Sequence, residues 1–322
     1  MAHKYTSLSS VMWEVNGALF FACIYSIYVF GLAALAVILV SIFSAMFTEA
    51  VIQKARRKKS TIADGSAFMT GFLLALTLPP YCPLGTVACG SIFAIAIGKQ
   101  AFGGFGKNLF NPALAGRAFL MMFWPKDLTV FTRPFVYDAV TQATPLSLLK
   151  EGRAHHVLDM GLSYWGLFFG NHSGCLGDVC IFVLVLGGIY LLYQRIITWH
   201  IPLSFILTVG IFTWVFGTPS EGLFKGDFLL HILSGGLVLG AIFMATDYVT
   251  SPATKKGQLV FGIGCGLLTS VIRLWGAYAE GVCYAILLMN ALVPLIDRFT
   301  KAGIDNSASI YYTKVQDKGA TI

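Results

Sequence analysis

Residues 15–59 read VNGALFFACIYSIYVFGLAALAVILVSIFSAMFTEAVIQKARRKK. The run from Val15 to Val51 is too apolar for a soluble surface and too long for one membrane crossing, which takes roughly 20 residues. Gly31 falls near its middle, so the run reads as a helical hairpin that crosses twice and returns to its starting side. There it meets Lys54, Arg56, Arg57, Lys58 and Lys59, a basic cluster of the kind that stays in the cytoplasm.

The rest of the chain extends this pattern. Of its 322 residues 57% are hydrophobic and only 11% are charged, too little charge to coat a soluble globule. The net charge of +7 does not indicate nucleic acid, because the basic residues lie at the ends of apolar runs rather than on a polar face interleaved with aromatics. Further spans are predicted near Ala67–Leu78, Leu84–Ile97, Leu109–Phe123, Asp178–Tyr193, Ile201–Phe216, Phe228–Thr246, Leu259–Trp275 and Gly281–Leu295. With the hairpin this makes about ten transmembrane helices, some broken or partly re-entrant. Only His3 and Lys4 precede the first run, with no small-residue cleavage site, so the first helix is expected to stay in the membrane.

Ten crossings place both termini in the cytoplasm. About 15 Lys and Arg then fall on that side, among them Arg195, Lys255, Lys256, Arg298 and Lys301, against about 5 outside, as the positive-inside rule requires. The expected organisation is one integral membrane domain over 1–322: a first repeat at about 1–124, an extracytoplasmic loop at about 125–177, a second repeat at about 178–298 and a cytoplasmic tail at 299–322. The repeat rests on two echoing stretches. Gly71-Phe-Leu-Leu-Ala-Leu-Thr77 precedes Pro79-Pro80, and Gly240-Ala-Ile-Phe-Met-Ala-Thr246 precedes Asp247 and Pro252. Each is followed by a span ending in a cation, Lys99 or Arg273, then by a glycine-bearing break and an Asn-containing helix. Paired, interrupted segments of this kind place ligand or ion sites near the bilayer midplane.

Few residues carry candidate chemistry. Gly103-Gly-Phe-Gly-Lys-Asn108-Leu-Phe-Asn111-Pro112 combines flexible backbone with amides that suit a polar ring edge; close helix packing is the alternative reading, and no P-loop pattern is present. Arg117 lies deep in its span, where an anionic or carbonyl partner would hold it, or where it pairs or snorkels. Asp247, Arg273 and Glu280 lie at or inside apolar segments, as functional charges or as caps and mutual pairs; Glu280 also suits a helix's first turn. His155 and His156 are adjacent and share no helix face, and His172 reads as part of an ordered turn, so neither suggests a metal site. The seven cysteines form no C-x-x-C pair or Cys/His metal spacing, which argues against an iron–sulfur site made by this chain alone. Cys175 and Cys180 are open to a loop disulfide, to a partner's cofactor, or to a role as small apolar residues.

Three separated motifs, in order, carry a resemblance. Phe102-Gly-Gly-Phe-Gly-Lys-Asn-Leu-Phe-Asn-Pro-Ala-Leu-Ala-Gly-Arg-Ala-Phe119, Phe243-Met-Ala-Thr-Asp-Tyr-Val-Thr-Ser-Pro252 and Glu280-Gly-Val-Cys-Tyr-Ala-Ile-Leu-Leu-Met-Asn290 resemble the RnfD/NqrB family of flavin-bearing membrane subunits, over about Gly65 to Asp297. Members belong to the Rnf complex, which passes electrons between ferredoxin and NAD while pumping Na+ or H+, or to the Na+-pumping NADH:quinone reductase. The resemblance implies a ten-helix fold of two five-helix repeats in the bacterial or archaeal cytoplasmic membrane. It implies a partnership with a second covalent-flavin subunit and with iron–sulfur subunits.

The resemblance also implies FMN joined by a phosphoester to the last threonine of a D-x-x-[ST]-G-A-T motif, installed outside the cytoplasm by a flavin transferase. Here Asp138-Ala-Val-Thr141-Gln142-Ala143-Thr144 matches, with Gln142 in place of the glycine, so Thr144 is the expected attachment site. In the quinone-reductase branch a noncovalent riboflavin is implied beside the segment matching Asn108 and Asn111. The short stretch before the first helix resembles RnfD more than NqrB, while Gly116-Arg117-Ala118-Phe119 looks NqrB-like. The rival of another class is a cofactor-free transporter or channel with Asp247, Glu280 and Arg117 lining a pore; a third reading is a scaffold that only holds partners.

Overall fold

A computed structural model describes residues 8–135, 142–152, 157–217 and 222–301. The described chain is all-helical. Helices α1 (Leu8–Phe30) and α2 (Leu32–Ala55) form the expected hairpin, turning at Gly31, whose φ of 70° lies in the left-handed region that glycine enters without strain. Phe20, Phe21, Tyr28, Phe43 and Phe47 point outward from it, an aromatic surface suited to lipid. Ser41 of α2 donates to the Gly71 carbonyl of α3 (Ser66–Leu76) at 2.6 Å. A Cβ on Gly71 would lie 2.7 Å from the Ser41 carbonyl oxygen, so this crossing requires glycine.

Among the described residues four helices are long and apolar enough to cross a membrane: Ser9–Phe30, Leu32–Ala55, Lys255–Trp275 and Val282–Thr300. The remaining predicted spans are shorter or interrupted. α4 (Leu84–Phe93) widens into a π-helical segment, Ala94–Gln100, and α5 is confined to Pro112–Phe123. α5 starts where it does because Pro112 fits a first helical turn and the Asn111 side chain accepts from the amides of Ala113 (3.0 Å) and Leu114 (3.4 Å). Short helices α6 (Pro125–Thr129), α7 (Pro145–Lys150) and α8 (Tyr164–Phe168) cross the polar loop, and α9 (Ile181–Tyr193) and α10 (His200–Phe216) follow.

The stretch Phe228–Thr246, read from sequence as one span, is in pieces. α11 (Phe228–Ile232) stops, Gly235 and Gly236 adopt φ of 70° and 65°, and α12 (Leu237–Leu239) runs into a π turn, Gly240–Met244. α13 (Lys255–Trp275) and α14 (Val282–Lys301) complete the fold. The two echoing stretches thus differ in build: Gly71–Thr77 belongs to a regular α-helix, whereas in Gly240–Thr246 the Ala245 amide donates five residues back, to Gly240. Apolar periodicity does not encode the extra residue that a π turn inserts.

One ion pair is wholly enclosed. The Lys99 ammonium, at the end of the π segment, lies 2.9 and 2.7 Å from the two carboxylate oxygens of Glu49 on α2 and donates to Ser66 Oγ at 2.6 Å. Gln53 and Gln100 donate their amides to the same carboxylate at 2.9 and 3.1 Å. Exposure of the pair is 1% and 0%, so the neutralising partner is what lets either charge remain there. Replacing Glu49 with Ala leaves Lys99 as an uncompensated buried cation and should cost about 3–5 kcal/mol. Thermal unfolding in detergent should register this as a lower Tm, much of which a Glu49→Met/Lys99→Met double variant recovers.

Candidate cofactor site

The polar loop is fastened to the membrane part at several points. The Gln142 backbone N–H donates to Phe131 O (2.9 Å), and Ser173 Oγ donates to Ala143 O (2.6 Å). Thr144 then takes an extended backbone and caps α7: its Oγ1 accepts from Ser147 N at 3.2 Å, while Ser147 Oγ donates to Thr144 O at 2.8 Å. Thr144 is 7% exposed. At the other end of α7, Lys150 Nζ donates to the carbonyls of Ile272 (3.2 Å), Arg273 (3.1 Å) and Tyr278 (2.7 Å), capping the C-terminus of α13. Leu146 is buried with Leu167 and Leu230, and it presses on Gly235, where an added Cβ would meet its Cδ1 at 2.3 Å. The helix that begins at Thr144 is therefore seated on the broken segment 233–236.

Beside it is a cavity of about 140 Å³, lined by Arg133, Gln142, Ala143, Asn171, His172 and Ser173 together with Pro145 and Met160. The residues on either side of Thr144 thus form part of its wall. His172 is 3% exposed, and both ring nitrogens are shielded from solvent. Burial lowers its pKa to about 4, an effect that the Gly166 backbone only partly offsets. The segment carrying His172 is held firmly: Asn171 N donates to Gly166 O (2.7 Å), Leu176 N to Leu78 O (3.0 Å) and Gly177 N to Leu76 O (2.7 Å).

Beneath the loop the intramembrane charges are matched. Arg117 donates to the Thr77 carbonyl and to Glu280 Oε2 (2.5 Å), with Cys175 Sγ at 3.6 Å. Arg273 donates to the carbonyls of His231 (2.6 Å), Ser234 (3.0 Å) and Gly235 (3.3 Å). Asp247 accepts from the Val249 amide and from Thr250 Oγ1 (3.1 Å), so Asp247 and Arg273 serve broken backbone rather than one another. Cys175 Sγ and carboxylate oxygens of Asp178 and Glu280 lie within 4.8 Å of one another, but the Arg117 guanidinium already neutralises Glu280 in this group, which disfavours a further cation. Cys175 and Cys180 are free thiols.

At the glycine-rich break Asn111 is fully engaged. Besides capping α5, its Nδ2 donates to Met244 O (3.2 Å), and its backbone amide donates to the Asn290 side-chain oxygen (3.1 Å), whose nitrogen donates to Thr250 O (3.1 Å). Asn108, 8% exposed, retains a buried Oδ1 without a partner. Of the residues singled out from sequence, Ala143 and Thr144 share the cavity region, Arg117 pairs with Glu280, and Asn108 and Asn111 lie at a separate break. Asp138, Thr141, His155 and His156 fall outside the described residues. Sequence reading passed over Glu49 and Asp178. An acid inside Met46-Phe-Thr-Glu49-Ala-Val51 is the signal that finds the first; the second hides at the predicted edge of a span.

The chain is 50% identical over 301 residues to the D component of the proton-translocating ferredoxin:NAD(+) oxidoreductase complex of Clostridium ljungdahlii, covering 92% of this chain and 91% of that one. It is 47% identical, over the same shares, to the D component of the Na(+)-translocating ferredoxin:NAD(+) oxidoreductase complex of Acetobacterium woodii. It is 39% identical to the D component of the ion-translocating oxidoreductase complex of Stutzerimonas stutzeri, over 91% of this chain and 90% of that one. The family model for NQR2, RnfD and RnfE matches residues 1–304, and the chain belongs to that family.

Proposed function

We propose that this chain is the D-type membrane component of an ion-translocating ferredoxin:NAD+ oxidoreductase, and that it carries FMN as a phosphoester on Thr144. The observation that carries the attachment is the seating of Thr144: it opens a helix docked over the broken segment, beside a cavity whose wall includes its own neighbours. The residues present suit a flavin. Arg133 offers a cation on the exposed rim, and Gln142, Asn171 and Ser173 make that wall polar while Pro145, Leu148 and Met160 give it an apolar side. Bound FMN would supply the redox chemistry, and the protein its position and electrostatic setting. Esterification removes the Thr144 hydroxyl proton but leaves lone pairs on Oγ1, so the amide of Ser147 keeps its acceptor and α7 its cap.

On this reading about ten crossings in two repeats put both termini in the cytoplasm of a bacterial or archaeal cell and Thr144 outside, where a flavin transferase reaches it. The partners are the other subunits of the complex, a second covalent-flavin subunit and iron–sulfur subunits among them, with Na+ or H+ as the ion moved. Two of the relatives named above are subunits of ferredoxin:NAD(+) oxidoreductase complexes, which favours this branch over a quinone reductase. A riboflavin at the glycine-rich break would meet Asn108, since the side chain of Asn111 is already committed to backbone. The pairing of Arg117 with Glu280 speaks against a water-filled pore through those groups.

Coexpressed with its flavin transferase, the protein should show a flavin fluorescence band on a denaturing gel, and Thr144→Val should abolish it. A dark wild-type band with no FMN adduct by intact mass sinks the attachment; fluorescence surviving in Thr144→Val moves it to Thr141 or another hydroxyl. Topology is checked separately. A cysteine at exposed Lys126 in α6 should react with an impermeant maleimide added outside intact cells, and one at exposed Lys58 should not.

A further inference from the structure

The two lysines that open α13 share a face with the turn 194–199 that precedes α10. That turn is pinned in place: Ile196 and Ile197 are buried, the Tyr248 hydroxyl donates to the Ile196 carbonyl, and Thr198 Oγ1 donates to Gln258 Oε1 in the first turn of α13 at 2.7 Å. Exposed Arg195 and Trp199 thereby come beside exposed Lys255 and Lys256, and the Lys255 ammonium lies within electrostatic range of His200. Exposed Arg298 joins them from the last turns of α14, which are tied to the start of α13 where Thr254 Oγ1 donates to Thr300 Oγ1 at 2.8 Å. Two acids of this end of the fold are engaged elsewhere: Glu14 accepts from the Tyr190 hydroxyl and Asp297 from the Ala253 amide. Among the described residues the ion pairs are Glu49–Lys99 and Arg117–Glu280, and neither uses these cations.

The basic face heads an apolar seam. Helices α10 and α13 cross closely: a Cβ on Gly262 would lie 2.0 Å from Ser204 Oγ, and one on Gly266 2.5 Å from Thr208 Cβ. These paired contacts advance together along both chains, so the helices run parallel. In that geometry the residues just before the contact on α10 and just after it on α13 project to the same side of the seam. Those residues are Leu203 and Leu207 on one helix and Ile263 and Leu267 on the other, all exposed. Trp199, four residues before Leu203, and Lys256, seven before Ile263, stand at the head of the two ridges. We infer that this seam binds an anionic phospholipid, its phosphate held by Arg195, Lys255 and Lys256 and its acyl chains laid along the two ridges. Cations directly beside apolar spans select anionic headgroups, a tryptophan suits the headgroup level, and the start of a 21-residue helix adds its own positive field. The flavin reading plays no part in this; only α10 and α13 need lie in a bilayer, and α13 is long and apolar enough to cross one.

Trp199 reports the site. Full-length protein in phosphatidylcholine vesicles is titrated with brominated phosphatidylglycerol or brominated phosphatidylcholine, and the quenching that belongs to Trp199 is the difference between wild type and Trp199→Phe. Phosphatidylglycerol should be preferred there by about fivefold or more, the preference that one cation near an anionic surface is worth. Arg195→Gln/Lys255→Gln/Lys256→Gln should abolish the preference while leaving quenching by phosphatidylcholine unchanged. Arg57→Gln/Lys58→Gln/Lys59→Gln, which removes the same charge from another exposed cluster, should keep it. No preference in wild type, or equal loss in both triple variants, overturns the inference, the second outcome leaving only a general surface potential. Competition by millimolar glycerol phosphate overturns it in favour of a phosphate site without a lipid. In the assembled complex the Trp199 quenching should persist; its disappearance there shows that a partner subunit, not a lipid, covers the seam.

Discussion

A buried backbone carbonyl or amide left without a partner costs several kcal/mol in an apolar setting, and this fold breaks its helices repeatedly. Each break is met by a specific donor. Arg273 gathers three carbonyls from the interruption between α11 and α12, Arg117 takes the carbonyl of Thr77 where α3 ends, and Asn111 closes the gap between α5 and the π turn at Met244. The segment 176–177 completes α3 with backbone bonds of its own. Guanidinium suits this work because it remains charged when buried and presents several donors in a fixed plane. The intramembrane cations are therefore explained first by broken backbone.

This need joins the polar loop to the rest of the fold. Lys150 caps α13 from the loop side, a few residues from where the guanidinium of Arg273 holds the interruption, and Leu146 rests on the glycine of that same interruption. The helix beginning at Thr144 therefore covers the second set of breaks. A cofactor carried there would be held against irregular backbone, with the Arg117–Glu280 pair and the nearby Asp178 carboxylate below. The Glu49–Lys99 pair plays a comparable part at the other break, where it locks the π-helical end of α4 against α2 and α3.

How far the sequence was legible varied with the range of the interaction concerned. The hairpin at Gly31, the start of α5 at Asn111-Pro112 and the long α13 and α14 are local matters of hydropathy, capping and proline geometry, and sequence placed them closely. The span read at Phe228–Thr246 came out in pieces because its continuity depends on Arg273, forty residues away, taking over the freed carbonyls. Asn111, singled out as a ligand group, is consumed by Met244 and Asn290, neither of which is its sequence neighbour. Of the motif ending at Thr144, Ala143 and Thr144 are seen in place, whereas Asp138 and Thr141 lie outside the described residues.

By itself the sequence determined that this is an all-helical membrane chain of the NQR2, RnfD and RnfE family, because apolar run length, basic flanks and three ordered motifs are written along one dimension. Only the tertiary structure decided which charges are paired, which asparagine retains an unused acceptor, and that His172, an ordinary loop residue in sequence, is buried beside the neighbours of Thr144. Hydrogen-bond satisfaction is a property of groups brought together across the fold, and no spacing along the chain encodes it.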